Sequence, residues 1–252
     1  MENNNMTTSH NKRVFIAGAT GAIGRRLCRL LVADGWQVTG TTRSVEKTPL
    51  LRELGAEPVV VDVFDAPALR DAVARARPAV VIHQLTDLPP ALDPTRMAEA
   101  LVRSARLREE GTRHLVAAAA AAGASRMVAQ SIAFAYAPGA RPFGEAWPLN
   151  VDDPAFGLTA RGVASLEKQV LAGPFVGIVL RYGKLYGPGT GFDRPAAGGP
   201  LHVDDAADAA RRAATRGSAG IYNIAADDGT VAIGRAAAEL GWTPGFRIRG
   251  ES

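Results

Sequence analysis

The sequence predicts an α/β fold built on a doubly wound parallel sheet, and three observations carry that expectation. Short apolar, β-branched runs alternate with helix-like runs from residue 13 onward. Those runs are apolar at successive positions, as strands covered on both faces are. The first strand-like run also passes into the first helix-like run through three glycines, Gly18, Gly21 and Gly24.

Taken in order, RVFIAG (13–18), QVTGTT (37–42), PVVVD (58–62), AVVIH (79–83), RMVAQ (126–130), VGIVLR (176–181) and IYNIA (221–225) read as strands. Between them, GRRLCRLLVADG (24–35), PALRDAVARA (67–76), a long segment near 94–122, ARGVASLEKQVLA (160–172) and DDAADAARRAA (204–214) read as helices. Helices between short buried strands cover both faces of one parallel sheet. AAAAAAG (117–123) is the end of a helix packed closely on the sheet and stopped by Gly123. AIGRAAAELGW (232–242) reads as a last helix. The Pro/Gly-rich stretches 89–94 and 138–154 are loops, because the alternation resumes after each. Residues 1–12 read as a disordered tail, 13–175 as the nucleotide-binding unit, and 176–252 as the last strands plus a shortened substrate region of the same compact body.

Composition narrows the function classes. Of 252 residues, 47% are hydrophobic and 21% charged, which suits a soluble globular chain. The net charge is +4, and the arginines are scattered among alanines instead of forming a basic stripe, so no nucleic-acid partner is expected. One cysteine, Cys28, forms no internal disulfide, and no metal-type Cys/His spacing occurs, so no metal is expected. The sequence contains no signal peptide and no apolar run of about 18 residues. A cytoplasmic protein without membrane contact is expected.

The glycine string has a physical reading. Gly18 permits a tight turn, Gly21 lets backbone amides approach a pyrophosphate, and Gly24 lets the helix pack close to the strand. The helix N-terminus then faces the phosphates. A strand–turn–helix context makes this dinucleotide signal a Rossmann-type one. At the end of the second strand, Thr41 and Thr42 stand where a carboxylate for a ribose 2′-hydroxyl is expected, followed by Arg43 and Ser44. With no acid there and Arg43 able to pair with a 2′-phosphate, and Arg25 as a helper, NADP is favoured, with NAD as the other candidate.

GATGAIG (18–24) resembles the short-chain dehydrogenase/reductase superfamily, specifically its extended, epimerase/dehydratase-like branch. VVVDVFD (59–65) is similar to the branch's adenine-side segment, with Asp62 in the acidic role. VVIHQLT (80–86) is similar to its cofactor-lining fourth strand, and LRYGKLYGPGT (180–190), LHVDDAADA (201–209), YNIA (222–225) and ELGWTP (239–244) agree. The resemblance spans about residues 13–245. It implies a cofactor held by Gly18, Ala19, Thr20, Gly21, Ala22, Ile23, Gly24, Thr42, Arg43, Ser44, Asp62, Val63, Gln84, Leu85, Thr86 and Tyr182. It further implies an epimerase/dehydratase-like oxidoreductase acting on a small carbonyl, hydroxyl or sugar-nucleotide substrate, and helices that pair two subunits into a homodimer.

The branch's usual catalyst, Tyr-x-x-x-Lys, is missing. Anchored on Glu167, it falls at positions 159 and 163, which are Thr159 and Val163. None of Tyr136, Tyr182, Tyr186 and Tyr222 has a lysine four residues on. VAQSIAFAY (128–136) is similar to the fifth-strand segment and leaves Ser131 and Tyr136 as the catalytic candidates, Tyr136 needing a cation such as Arg181 or Lys184 to lower its pKa. His83 reads as a satisfied core histidine, and His202 with Asp204 and Asp205 as a helix cap. Only residues 190–201 separate the Tyr-Gly-Pro-Gly stretch from His202, which leaves either a stripped, open site or flexible lid segments that this sequence does not include. A non-catalytic NADP-binding sensor or partner-binding protein is the alternative those gaps suggest.

Overall fold

The computed structural model describes residues 12–89 and 92–248. The expected tail lies, apart from Lys12, outside the described residues. Seven parallel strands form one sheet: β1 (Arg13–Ala17), β2 (Gln37–Thr42), β3 (Glu57–Val60), β4 (Val80–His83), β5 (Arg126–Ile132), β6 (Val176–Tyr182) and β9 (Gly220–Ile224), in the order β3-β2-β1-β4-β5-β6-β9. The order reverses between β1 and β4, and that switch point opens a crevice at the strands' carboxyl ends.

One face carries α1 (Ala22–Ala33), α2 (Thr48–Glu53) and α7 (Val203–Ala213), whose apolar stripes bury Leu27, Leu31, Leu51 and Ala210. The other carries α3 (Ala66–Ala76), α5 (Thr112–Ala121) and α6 (Gly157–Leu171), packed through Leu69, Leu115, Leu166 and Val170. Local chemistry sets the helix ends. Asp65 caps α3 by accepting from Ala68 N at 3.0 Å. His202 caps α7 through an imidazole nitrogen that accepts from Asp204 N at 3.2 Å, as the cap reading expects. Gly123, at φ +70°, follows the end of α5.

α1 and α7 are joined by a buried pair, Arg26 Nε to Asp204 Oδ1 at 2.6 Å. The chain's last described residues fold onto the same helix: Ile248 N donates to Asp204 Oδ2 at 3.1 Å, while Gly245 N and Phe246 N donate to Asp205 Oδ1 at 2.8 and 2.7 Å.

Four features depart from the expected elements. α2 lies in a stretch to which the sequence pattern assigns no element. A parallel two-stranded ribbon, β7 (Lys184–Tyr186) with β8 (Pro200–His202), brackets residues 187–199. The expected last helix is a π-helical turn, Ala236–Leu240, ended by Gly241 at φ +63°. The long helix near 94–122 is α4 (Met97–Arg106) joined to α5 by a π-helical turn, Leu107–Gly111. Widening there frees carbonyls, and Gln169 Nε2 on α6 reaches those of Arg108 and Glu109 at 3.5 and 3.1 Å. Among the described residues no helix is long and apolar enough to cross a membrane.

Candidate active site

At the carboxyl ends of β1–β4 lies a cavity of about 470 Å³. Gly18, Thr20 and Gly21 form its wall after β1, Thr42, Arg43 and Ser44 after β2, Asp62 and Val63 after β3, and Gln84, Leu85 and Thr86 after β4. The parallel register brings these four expected groups to one edge. Ala19 and Ile23 are buried behind the wall, packed in the core. Ala22 and Gly24 lie in the first turn of α1.

Gly18, at φ +89°, presses so close to β4 that a Cβ would stand 2.8 Å from the Gln84 carbonyl. A Cβ on Gly24 would stand 2.2 Å from the Gly18 oxygen. Gly21 caps α1 without any side-chain bond, so the first-turn amides are left for a ligand. Gln84 supplies a second sign of an absent group: its Nε2 donates to Tyr182 Oη at 3.3 Å, and its buried Oε1 has no partner. Orphaned acceptors of this kind call for a donor. Tyr182 does not reach the cavity; it is buried in the α1–α7 core and its hydroxyl donates to Ala206 O at 3.2 Å, so it orients Gln84 from behind.

Thr41, absent from the expected set, receives Gly18 N on its hydroxyl at 3.2 Å. Lys47, Phe64, Leu88 and Leu107 also line the cavity. Lys47 sits one turn past β2, where spacing from the glycine string gives no cue. Two carboxylates beside Arg43 were equally unforeseen. Asp87 lies 3.7 Å from Arg43 and 3.4 Å from Arg103, and Ser44 donates to Glu46. Arg25 is not a helper there. It lines a separate cavity of about 400 Å³ with Arg26, Arg29 and Pro188 on the outer side of α1.

The catalytic candidates, Ser131 in β5 and Tyr136 past it, have their hydroxyls engaged by neighbours on α6 and β9. Ser131 Oγ donates to Glu167 Oε1 at 2.7 Å. Arg181 grips the same carboxylate with two bonds, at 2.8 and 2.6 Å. Tyr136 donates to Asn223 Oδ1 at 2.7 Å, stacks on Phe143, and has the Arg181 guanidinium 4.8 Å over its ring. Arg181 is the neighbouring cation, yet the phenol's pKa is raised, since burial outweighs that charge. Lys184 turns away to Ala197 O at 2.8 Å. Ser131 and Tyr136 therefore form a framework of satisfied bonds instead of a free proton relay. Thr159 and Val163 are buried on α6.

His83 is the core histidine expected. Its Nδ1 accepts from Leu85 N at 3.2 Å, so Nε2 carries the hydrogen and donates to Thr112 Oγ1 at 3.1 Å. Burial pushes its pKa down to about 4.

A glycine cradle, an uncapped helix start and a cavity across the switch point define a nicotinamide-dinucleotide-binding Rossmann protein. A family profile described as NAD(P)H-binding matches residues 18–160. The 3-diazoavenalumate denitrifying reductase of a Streptomyces species is 44% identical over 238 residues, covering 86% of this chain and 76% of that protein. Among solved structures, the UDP-glucose 4-epimerase of Thermotoga maritima superposes with TM-score 0.73 at 18% identity, covering 92% of this chain and 93% of its own. The Bordetella bronchiseptica enzyme WbmG, in complex with NAD and UDP, gives TM-score 0.74 at 17% identity over 96% and 92%. The chain belongs to the NAD(P)H-binding family and is an NAD(P)-dependent oxidoreductase, with the fold of the epimerases it superposes on.

Proposed function

We propose that this oxidoreductase is an NADPH-preferring reductase that replaces the diazo group of an aromatic compound by hydrogen. The observation that carries the reading is the state of the proton donors. Ser131 and Tyr136 give their hydrogens to Glu167 and Asn223, and α6 offers Thr159 and Val163 where a tyrosine and lysine would serve. Reduction of a carbonyl needs a proton on its oxygen. An aryl diazonium ion needs none, because it already carries the positive charge. When bound, the reduced nicotinamide supplies hydride, two electrons and one hydrogen, so ArN2⁺ becomes ArH and N2 without a net proton from the protein. The name of the 44%-identical relative, a denitrifying reductase of a diazo compound, points the same way.

The residues of this chain would divide the work by strand. Amides of Gly18–Gly21 and the α1 start would hold the pyrophosphate, Asp62 and Val63 the adenine side, and Gln84 Oε1 would accept a hydrogen bond from the cofactor. Phe134, 45% exposed two residues past β5 and paired with Phe156 at 6.3 Å, offers an aromatic surface for such a compound. NADPH is favoured over NADH because β2 ends without a carboxylate while Arg43 and Lys47 both face the cavity. Arg43 is 58% exposed in its pair with Asp87, so that contact is weak and a phosphate dianion displaces it.

Turnover of NADPH with benzenediazonium, read as nitrogen release and arene formation, tests the proposal. Ser131→Ala and Tyr136→Phe should each keep kcat within about tenfold, below the roughly 100- to 10,000-fold that proton transfer contributes. A loss of about a thousandfold in either would return the hydroxyls to the chemistry and sink the reading. Arg43→Ala should weaken NADPH about tenfold or more and leave NADH nearly unchanged. Equal losses would remove the cofactor preference.

A further inference from the structure

One partly buried cation, close to His83 and Glu167, pairs with no described residue. Arg108 stands in the π-helical turn between α4 and α5. Such turns re-aim a side chain and recur at functional sites. Three features hold this one. Gln169 braces the carbonyls of Arg108 and Glu109. Gly162 on α6 leaves room for the arm, since a Cβ there would lie 3.5 Å from Arg108 Cδ and 3.2 Å from Ala105 Cα. Leu107, the preceding residue, lines the cofactor cavity.

The arm is charge-coupled to His83 at the end of β4 and to Glu167 behind Ser131. Both oxygens of Glu167 are already taken by Arg181 and Ser131. Among the described residues the Arg108 guanidinium makes no hydrogen bond and no ion pair. Burial draws its pKa down to about 10. A half-buried, unpaired guanidinium costs stability, and its planar fork suits one class of ligand, an oxyanion taken bidentately.

We propose that Arg108 receives an oxyanion of the substrate, a carboxylate or a phenolate, at the reaction end of the cleft. The inference rests on the reductase reading above. It also gives Arg108 a part in the chemistry. A phenolate conjugated to a diazonium group feeds charge into it and blunts its electrophilicity. Hydrogen bonds from a guanidinium hold that charge on oxygen and leave the terminal nitrogen electron-poor.

The test uses Arg108→Met and Arg108→Lys with NADPH and three probes: benzenediazonium, 2-hydroxybenzenediazonium and 4-carboxybenzenediazonium. Arg108→Met should lose about 100-fold in kcat/KM on at least one oxyanion-bearing probe and no more than about threefold on benzenediazonium, with Arg108→Lys recovering part of the loss. The recovery and the selectivity separate a substrate contact from a packing role. NADPH affinity should hold within about threefold, and the thermal midpoint of Arg108→Met should match or exceed that of the wild type. Equal losses on all three probes, or a lowered midpoint with lost NADPH binding, would overturn the proposal. If the wild type reduces none of the probes, the reductase reading fails by itself. Arg108 is then judged by calorimetry of salicylate on the NADP⁺-loaded protein. Binding weakened at least about tenfold in Arg108→Met supports the oxyanion role, and equal binding or none to the wild type overturns it.

Discussion

At the ends of β1 and β4 the cleft is walled by backbone, glycine and a buried amide oxygen without a donor. At the ends of β5, β6 and β9 it is walled by side chains bonded to one another, from Ser131 through Glu167 and Arg181 to Tyr136 and Asn223. The first region is incomplete alone and gains bonds only when a ligand arrives. The second has closed its own valences and gains little from one. Polar residues therefore do opposite work a few strands apart: near Gly18 they are reserved for binding, and near Ser131 they fix the shape of the wall. A titratable side chain in a cleft is a functional candidate only while its bonds are open.

The largest effect that would test this contrast is on the closed side. Glu167→Gln leaves the Arg181 guanidinium, 3% exposed, without its counter-charge. Denaturant unfolding should show a loss of about 3–5 kcal/mol, while the remaining folded protein binds NADPH as before. A loss below about 1 kcal/mol, the range of a surface pair, would dissolve the distinction.

A second effect sharpens the boundary at His83, on the strand between the two regions. Its folded pKa is depressed from 6.5 to about 4, so the unfolded chain takes up the proton first. Stability from the neutral ring is complete above about pH 6.5 and is lost as pH falls from there through about 4. The loss should amount to about 2–3 kcal/mol, visible as a steeper pH dependence of unfolding in the wild type than in His83→Gln. Parallel curves would mean that the ring is not sealed.

The smallest effect lies on the open side. Gly18→Ala forces a Cβ to 2.8 Å from the Gln84 carbonyl at φ +89°. Strain of about 1–3 kcal/mol should weaken NADPH by about ten- to a hundredfold in a fluorescence titration. Unchanged affinity would show that the loop has slack and that the cradle is not shape-specific.

The strands are legible in the sequence because burial on two faces leaves unbroken Val/Ile runs, and the phosphate loop because Gly21 and Gly24 answer to Gly18 and Ala19 only a few residues away. Arg43 beside Asp87 is not legible in the same way. Those residues lie in loops after β2 and β4, and their distance depends on how the two loops lie. The bonds of Ser131 to Glu167 and Tyr136 to Asn223 span 36 and 87 residues, beyond any periodicity. The π-helical turn at 107–111 leaves the helical alternation readable while shifting its phase, which hides the direction of Arg108. Tyr182 shows the converse error, since a residue in a matching motif occupies the layer beneath the expected contact.

Arg26, two residues beyond Gly24, is tied to Asp204, and Asp204 in turn is held by Ile248. The helix presenting the phosphate cradle is thus moored to a segment more than two hundred positions away along the chain, on the face turned from the ligand. A perturbation at residues 245–248 would reach the nucleotide without crossing the cleft, by letting that helix slip against its neighbour.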